Sequence, residues 1–369
     1  MSCDSSVPFN DLARTPLDAR LQIERAIADV LASGRFVMGP NHAALEDELA
    51  AYLGIGHAVL VANGTDALEL ALAAVGVRSG DYVVTVANAG AYTSIATRLL
   101  GGVPFYADID PSTLLMSVAT FETALSALPV APKAVVVTHL YGALAPVADI
   151  VTVAKRHGIA IVEDCAQSLG ARTDVAMGGT FGDIAITSFY PTKNLGALGD
   201  GGAVFTDSSD LAAAVRRMRQ YGWDSKYHIS HVHGRNSRMD ELQAAVVRVK
   251  LPLLDGLNER RRRIHARYES ARPSAAQLVN TSSPAFIAHL AVLTSDSRDR
   301  ARDTLRAAGI ATDVHYPIPD HQQAFPDFTP APVELPVTEW ASGAVFSVPM
   351  FPELTDAEVA QVRDAIDSL

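Results

Sequence analysis

Apolar residues recur along this chain in two rhythms, and the exchange between them sets out the elements. Leu17, Leu21, Ile23, Ile27, Val30 and Leu31 fall at helical spacing within residues 16–32, with Gly34 placed to end that helix. GRFVMGPN predicts a turn into a second helix over 43–52. Short β-branched runs then take over at 57–62, 82–86, 103–108, 134–138, 159–164, 184–188 and 203–206. Helical stretches such as 67–75, 149–157 and 210–220 separate several of them. Strands this apolar, spaced by helices, predict an α/β fold with a mostly parallel sheet covered on both faces.

The rhythm changes in the last third. A long charged helical stretch runs to about Ala271, followed by a strand at 289–294, a helix at 298–308, Gly309 and a strand at 310–315. The proline-punctuated YPIPDHQQAFP and a final helix from Thr355 complete the chain. This places a boundary near 251–257. It divides a large domain with an N-terminal helical segment, 1–254, from a smaller α+β domain, 255–369.

Ligands of open α/β sheets collect at the carboxyl ends of the strands. That rule brings Gly64, Thr65, Tyr92, Asp164, Gln167 and the stretch 188–193 into one neighbourhood. Lys193 lies between an aromatic strand end and a glycine-rich turn, in SFYPTKNLGALGDGG. Poor solvation there lowers the amine's pKa and suits it to bond covalently to a carbonyl. Alone, Lys193 reads equally as a surface lysine, and Asp164 as a helix cap or half of a structural ion pair. Together, an imine-forming lysine and a buried carboxylate are what pyridoxal 5′-phosphate requires, because the carboxylate keeps the pyridine nitrogen protonated. Gln167 can support the ring, Ser188 can donate to the phosphate and Tyr92 can stack on the ring face. The strand–GT–helix junction at Gly64 and Thr65 offers free N–H groups and a positive helix end; Thr65 or Asp66 as an N-cap is compatible with it.

Composition narrows the partners. The 369 residues are 49% hydrophobic and 19% charged, enough for two domains with a large core. A formal charge of −11 argues against a nucleic-acid surface. Cys3 and Cys165 are too few for a disulfide framework, and no secretory leader or membrane-spanning run is read, so a cytoplasmic protein is expected. His228, His231 and His233 cluster in KYHISHVHG, but no recognised ligand spacing completes a metal site. No GxGxxG opens a helix after the first strand, which speaks against a nicotinamide enzyme.

VANGTDALELAL, VEDCAQSLGA, SFYPTKNLGALGDGGA, GRNSRMDELQAAVVRVKL and HYPIPDH occur in this order. In these motifs the chain resembles the DegT/DnrJ/EryC1/StrS sugar aminotransferases, pyridoxal-phosphate enzymes of fold type I. The resemblance implies Lys193 as the lysine that holds the cofactor, Asp164 as the partner of the pyridine nitrogen and Gln167 on the 3-hydroxyl side. Gly64, Thr65 and Ser188 then form the phosphate cradle. It implies that Asn236 reaches the cofactor of a neighbouring subunit in a homodimer, and that Tyr316 and His321 lie near the sugar nucleotide. Where many relatives read PSFTFVATA, this chain has VANAGAYTSIA, with Tyr92 as the stacking residue. The implied reaction moves an amino group from glutamate to a nucleotide-linked keto sugar, a dTDP-3-keto-6-deoxyhexose by preference. Alternatives are a 4-keto sugar, a regulatory protein that binds the cofactor without turnover, and a sugar dehydratase; the last carries histidine where this chain has Lys193.

Overall fold

The computed structural model describes residues 6–324 and 333–369. Cys3 and the Phe325-Pro326 end of the proline-punctuated segment lie outside the described residues. A seven-stranded sheet is built from β1 (His57–Val61), β2 (Tyr82–Val86), β3 (Val103–Ala107), β4 (Ala134–Thr138), β5 (Ala160–Asp164), β6 (Ile184–Ser188) and β7 (Gly202–Thr206). Its order is β1-β7-β6-β5-β4-β2-β3. Neighbours from β6 to β3 run parallel, and β7 is antiparallel to both β6 and β1. The carboxyl ends of β1, β2, β4, β5 and β6 therefore share one edge of the sheet, where β7 begins at Gly202.

Side-chain alternation explains why the strands are apolar throughout. In β4, Ala134 and Val136 join a core with Leu68 and Leu72 of the helix Gly64–Ala74, whereas Val135 and Val137 join the opposite core. That second core continues into Leu293 and Val348 of a smaller antiparallel sheet, β10 (Gln277–Leu278), β11 (Ala291–Thr294) and β12 (Val345–Val348). A short hairpin, β8 (Trp223–Ser225) with β9 (His228–Ile229), stands apart. Each fully buried leucine is worth roughly 2 kcal/mol of transfer free energy. Apolar packing thus fixes the strand ends that carry polar chemistry.

Several expectations need correction. The strand at 310–315 does not form: Ile310 and Asp313 make single bridges to Val7 and Ser347. Pro8, Pro317 and Pro319 flank those contacts and lack the N–H groups that a longer ladder needs. The long charged helix forms as Leu254–Tyr268, and a 3-10 turn at Leu251–Leu253 that contains Pro252 joins it to the preceding helix, Glu241–Lys250. The helix expected at 67–75 starts earlier, at Gly64, because Asn63 is the N-cap and accepts from Asp66 N–H at 2.8 Å. Neither Thr65 nor Asp66 has that role.

Candidate active site

At the shared strand edge lies a cavity of about 680 Å3. Gly64, Thr65, Tyr92, Asp164, Gln167, Ser188, Lys193 and Tyr316 all line it, from stretches spread over more than half of the chain. Each arrives by an elementary route. Asp164 and Ser188 are the last residues of β5 and β6, and Gly64 opens the helix that follows β1. Lys193 N–H bonds back to Tyr190 carbonyl at 2.8 Å, closing the turn that aims its side chain inward.

The electrostatics follow from burial. Desolvation lowers the Lys193 amine from 10.5 to about 8, with Asp164 opposing the shift. The Asp164 carboxyl is pushed up by burial, against the Ala166 N–H, Lys193 and His139. One Asp164 oxygen accepts from Ala166 N–H at 3.0 Å; the other makes no hydrogen bond among the described residues. A buried acceptor left open on a cavity fits a pyridinium N–H. A neutral amine near pH 8 fits a nucleophile. Close packing at Gly64 fits a phosphate cradle: a Cβ there would meet Ser188 Cβ at 2.7 Å, so only glycine lets the helix N-terminus and the Ser188 hydroxyl converge. The residues present therefore fit pyridoxal phosphate.

A lysine whose charged form is disfavoured by folding destabilises the cofactor-free protein while it stays protonated. The penalty is present below pH 8 and disappears as pH rises from 8 to 10.5. Lys193→Met is expected to stabilise the cofactor-free protein at neutral pH by up to about 3 kcal/mol, the gain vanishing by pH 10.5. Thermal unfolding of both forms at the two pH values measures this.

Gln167 is pinned at both ends of its amide. Its Oε1 accepts from Tyr141 N–H at 2.7 Å and its Nε2 donates to Tyr316 Oη at 3.2 Å. The Tyr92 and Tyr316 rings meet edge to face, 6.4 Å between centroids, with Tyr92 half-exposed at the rim. His321 is not part of the wall; its Nε2 meets Glu339 at 3.1 Å. The neighbouring Asp320 is the buried group, accepting from Ala91 N–H at 2.8 Å and Ser94 hydroxyl at 2.7 Å. It thereby caps the helix Tyr92–Leu99, whose own N-cap residue, Ala91, supplies no side-chain cap.

Asn236 is also absent from this wall. It lines a second cavity with Arg238, Asp240 and Gln243, whose wall shares Asn63 and Asp200 with the first. His228, His231 and His233 do not converge: His228 pairs with Asp224, and His231 with Ser230. His139, Glu163 and Cys165 do come together, but protein groups already occupy them. Glu163 accepts from His139 and the N–H groups of Gly179, Phe181 and Gly182, while His139 Nδ1 accepts from Ala145 N–H.

The sequence model of the DegT/DnrJ/EryC1/StrS aminotransferase family matches residues 18–367. The chain belongs to that family. It is a pyridoxal-phosphate-dependent sugar-nucleotide aminotransferase. The chain is 38% identical to a pleiotropic regulatory protein of Geobacillus stearothermophilus, over 98% of each. It is also 38% identical to the dTDP-3-amino-3,4,6-trideoxy-alpha-D-glucose transaminase of Micromonospora megalomicea subsp. nigra, over 95% of this chain and 96% of that one. Its fold superposes on the crystal structure of S. venezuelae DesV in complex with a ketimine intermediate, at a TM-score of 0.93 and 38% identity, over 98% of both chains. Among the described residues no helix of this aminotransferase is long and apolar enough to cross a membrane.

The cavity also holds residues that the sequence did not single out: Asn63, Asp200, His289, Asp313, His315 and the N-terminal Phe9 and Asn10. His315 was visible within HYPIPDH, and His289 as the first residue of a strand. Phe9 and Asn10 carry no local signal, because only tertiary docking of the Val7 bridge brings them to the mouth.

Proposed function

We propose that this enzyme transfers an amino group from glutamate to C3 of a dTDP-linked 3-keto-6-deoxyhexose. The observation that carries the chemistry is that Lys193 and Asp164 line one cavity beside a helix N-terminus. Support for C3 and for a dTDP carrier comes from the 38% identical transaminase, whose name specifies both. Bound pyridoxal phosphate supplies an electron sink that lets a C–H bond beside nitrogen break. Gly64, Thr65 and Ser188 would hold the phosphate, and Asp164 would keep a proton on the ring nitrogen. Tyr92 and Tyr316, which meet edge to face in the cavity wall, would shield the ring from water. Lys193 Nζ takes the proton from Cα of the donor and, in the second half reaction, delivers one to the sugar carbon that gains the amine.

Purified enzyme is to be assayed with nucleotide-linked 3-keto and 4-keto sugars, using glutamate and glutamine as donors. Turnover of 4-keto sugars alone contradicts the assignment of C3. The regulatory reading, favoured by the name of the Geobacillus relative, predicts cofactor absorbance that glutamate leaves unchanged.

Asn236 belongs to the same reading as the residue that completes the site of a second copy. Its separate cavity supports this, as do Tyr227, Ile229 and Val232, large apolar residues exposed on and beside the hairpin β8–β9. Lys193→Ala and Asn236→Ala chains, each inactive alone, are expected to regain about a quarter of wild-type turnover when mixed and reassociated, because half of the dimers carry one intact site of two. No recovery on mixing counts against a shared site.

A further inference from the structure

His289 is a buried imidazole in the wall of the Lys193 cavity, 7% exposed. Its Nδ1 lies 2.8 Å from Oδ1 of Asn194, the residue next to the lysine. The direction of that bond is set elsewhere. Asn194 Nδ2 donates to the Ile287 carbonyl at 3.4 Å and to Asn258 Oδ1 at 2.7 Å. A carbonyl can only accept, so the other Asn194 atom, Oδ1, must take a proton from His289. Asn258 is oriented in the same way, by donating Nδ2 to the Leu169 carbonyl at 3.3 Å. His289 Nδ1 therefore carries hydrogen.

A second proton, on Nε2, would make a buried cation. Burial first, then Lys193, Arg261 and His315, the charged or titratable groups that face the ring, hold the imidazole well below its usual range. Among the described residues no carboxylate lies within ion-pair distance of it. Nε2 is thus a lone pair, and it makes no hydrogen bond among the described residues. Because the ring lines the cavity, this acceptor, fixed in tautomer, stands open to a donor within it.

We propose that His289 Nε2 accepts a hydrogen bond from the Lys193 amine once the amine carries its proton, and so positions the lysine during transfer. The inference rests on Lys193 being the proton carrier. When the substrate C–H bond breaks, the proton goes to Nζ and the electron pair stays on the substrate side. Nζ then donates one of its three N–H groups to His289, which gains no proton. Stabilising the ammonium in this way lowers the barrier to forming it.

The test is the donor half reaction in single turnover, with glutamate carrying hydrogen or deuterium at Cα. His289→Leu removes the acceptor and is expected to slow the reaction at least about tenfold while raising the primary isotope effect, because proton transfer becomes more limiting. His289→Gln, which retains a neutral acceptor, is expected to restore most of the rate. A wild-type rate in His289→Leu overturns the proposal, as does slowing with an unchanged isotope effect. Independently, nitrogen-15 spectra of histidine-labelled holoenzyme, with the His289 signal assigned by its loss in His289→Gln, should show a neutral Nδ1–H tautomer at neutral pH. An imidazolium or an Nε2–H tautomer overturns the proposal, and this measurement decides alone if the leucine variant does not fold. A wild-type enzyme that reacts with no amino donor sinks the aminotransferase reading itself, a result distinct from either outcome.

Discussion

In Lys193→Ala, turnover is expected to fall by at least about ten-thousand-fold, because the proposed mechanism makes one side chain both attachment point and proton carrier. The fold should survive. Lys193 Nζ makes no hydrogen bond to the protein among the described residues, and the carboxylate that opposes its lowered pKa, Asp164, is already displaced toward its neutral form by burial. The proposed phosphate cradle at Gly64 and Ser188 does not include the lysine, so the variant should still retain cofactor, without the visible absorbance that attachment produces. Near-ultraviolet circular dichroism and native mass measure the fold and assembly; absorbance and single-turnover rates measure the chemistry. Substantial turnover in a well-folded Lys193→Ala would remove the lysine from the mechanism.

Asp164→Asn is expected to separate those two losses. The amide preserves shape and the contact with Ala166 N–H but cannot hold a proton on a ring nitrogen by charge. Attachment at Lys193 should persist and the visible band with it, while turnover drops about a thousandfold, the scale at which one preorganised electrostatic partner acts. Lys193 should also become easier to deprotonate, since Asp164 is the group opposing its lowered pKa. A variant with wild-type turnover would show that the carboxylate serves packing alone.

The parts of this site that could be read from the chain are those governed by local rules. β-branched runs mark the strands, and the carboxyl-end rule gathers Gly64, Asp164, Ser188 and Lys193 from sequence alone. What escaped was set by distant partners. The helix Tyr92–Leu99 begins after Ala91 in a left-handed conformation, and its cap comes from Asp320, 229 residues from Ala91. No window of sequence contains that bond. The strand expected at 310–315 had a β-branched pattern but no long neighbour to pair with, and His321 turned to Glu339 because Asp320 took the buried position. The role of His289 is equally remote from its own segment, since Asn194, Asn258 and the Leu169 carbonyl set its tautomer together. Asn236 was legible as a motif residue, and the fold sets it at a separate cavity, away from Lys193.

The account depends on which amine the cofactor joins, and borohydride reduction of the holoenzyme followed by peptide mapping by mass spectrometry reads this directly. A pyridoxyl-phosphate adduct on the peptide containing Lys193, absent from the Lys193→Ala variant, is the predicted result. An adduct on any other lysine, with Lys193 unmodified, would contradict it.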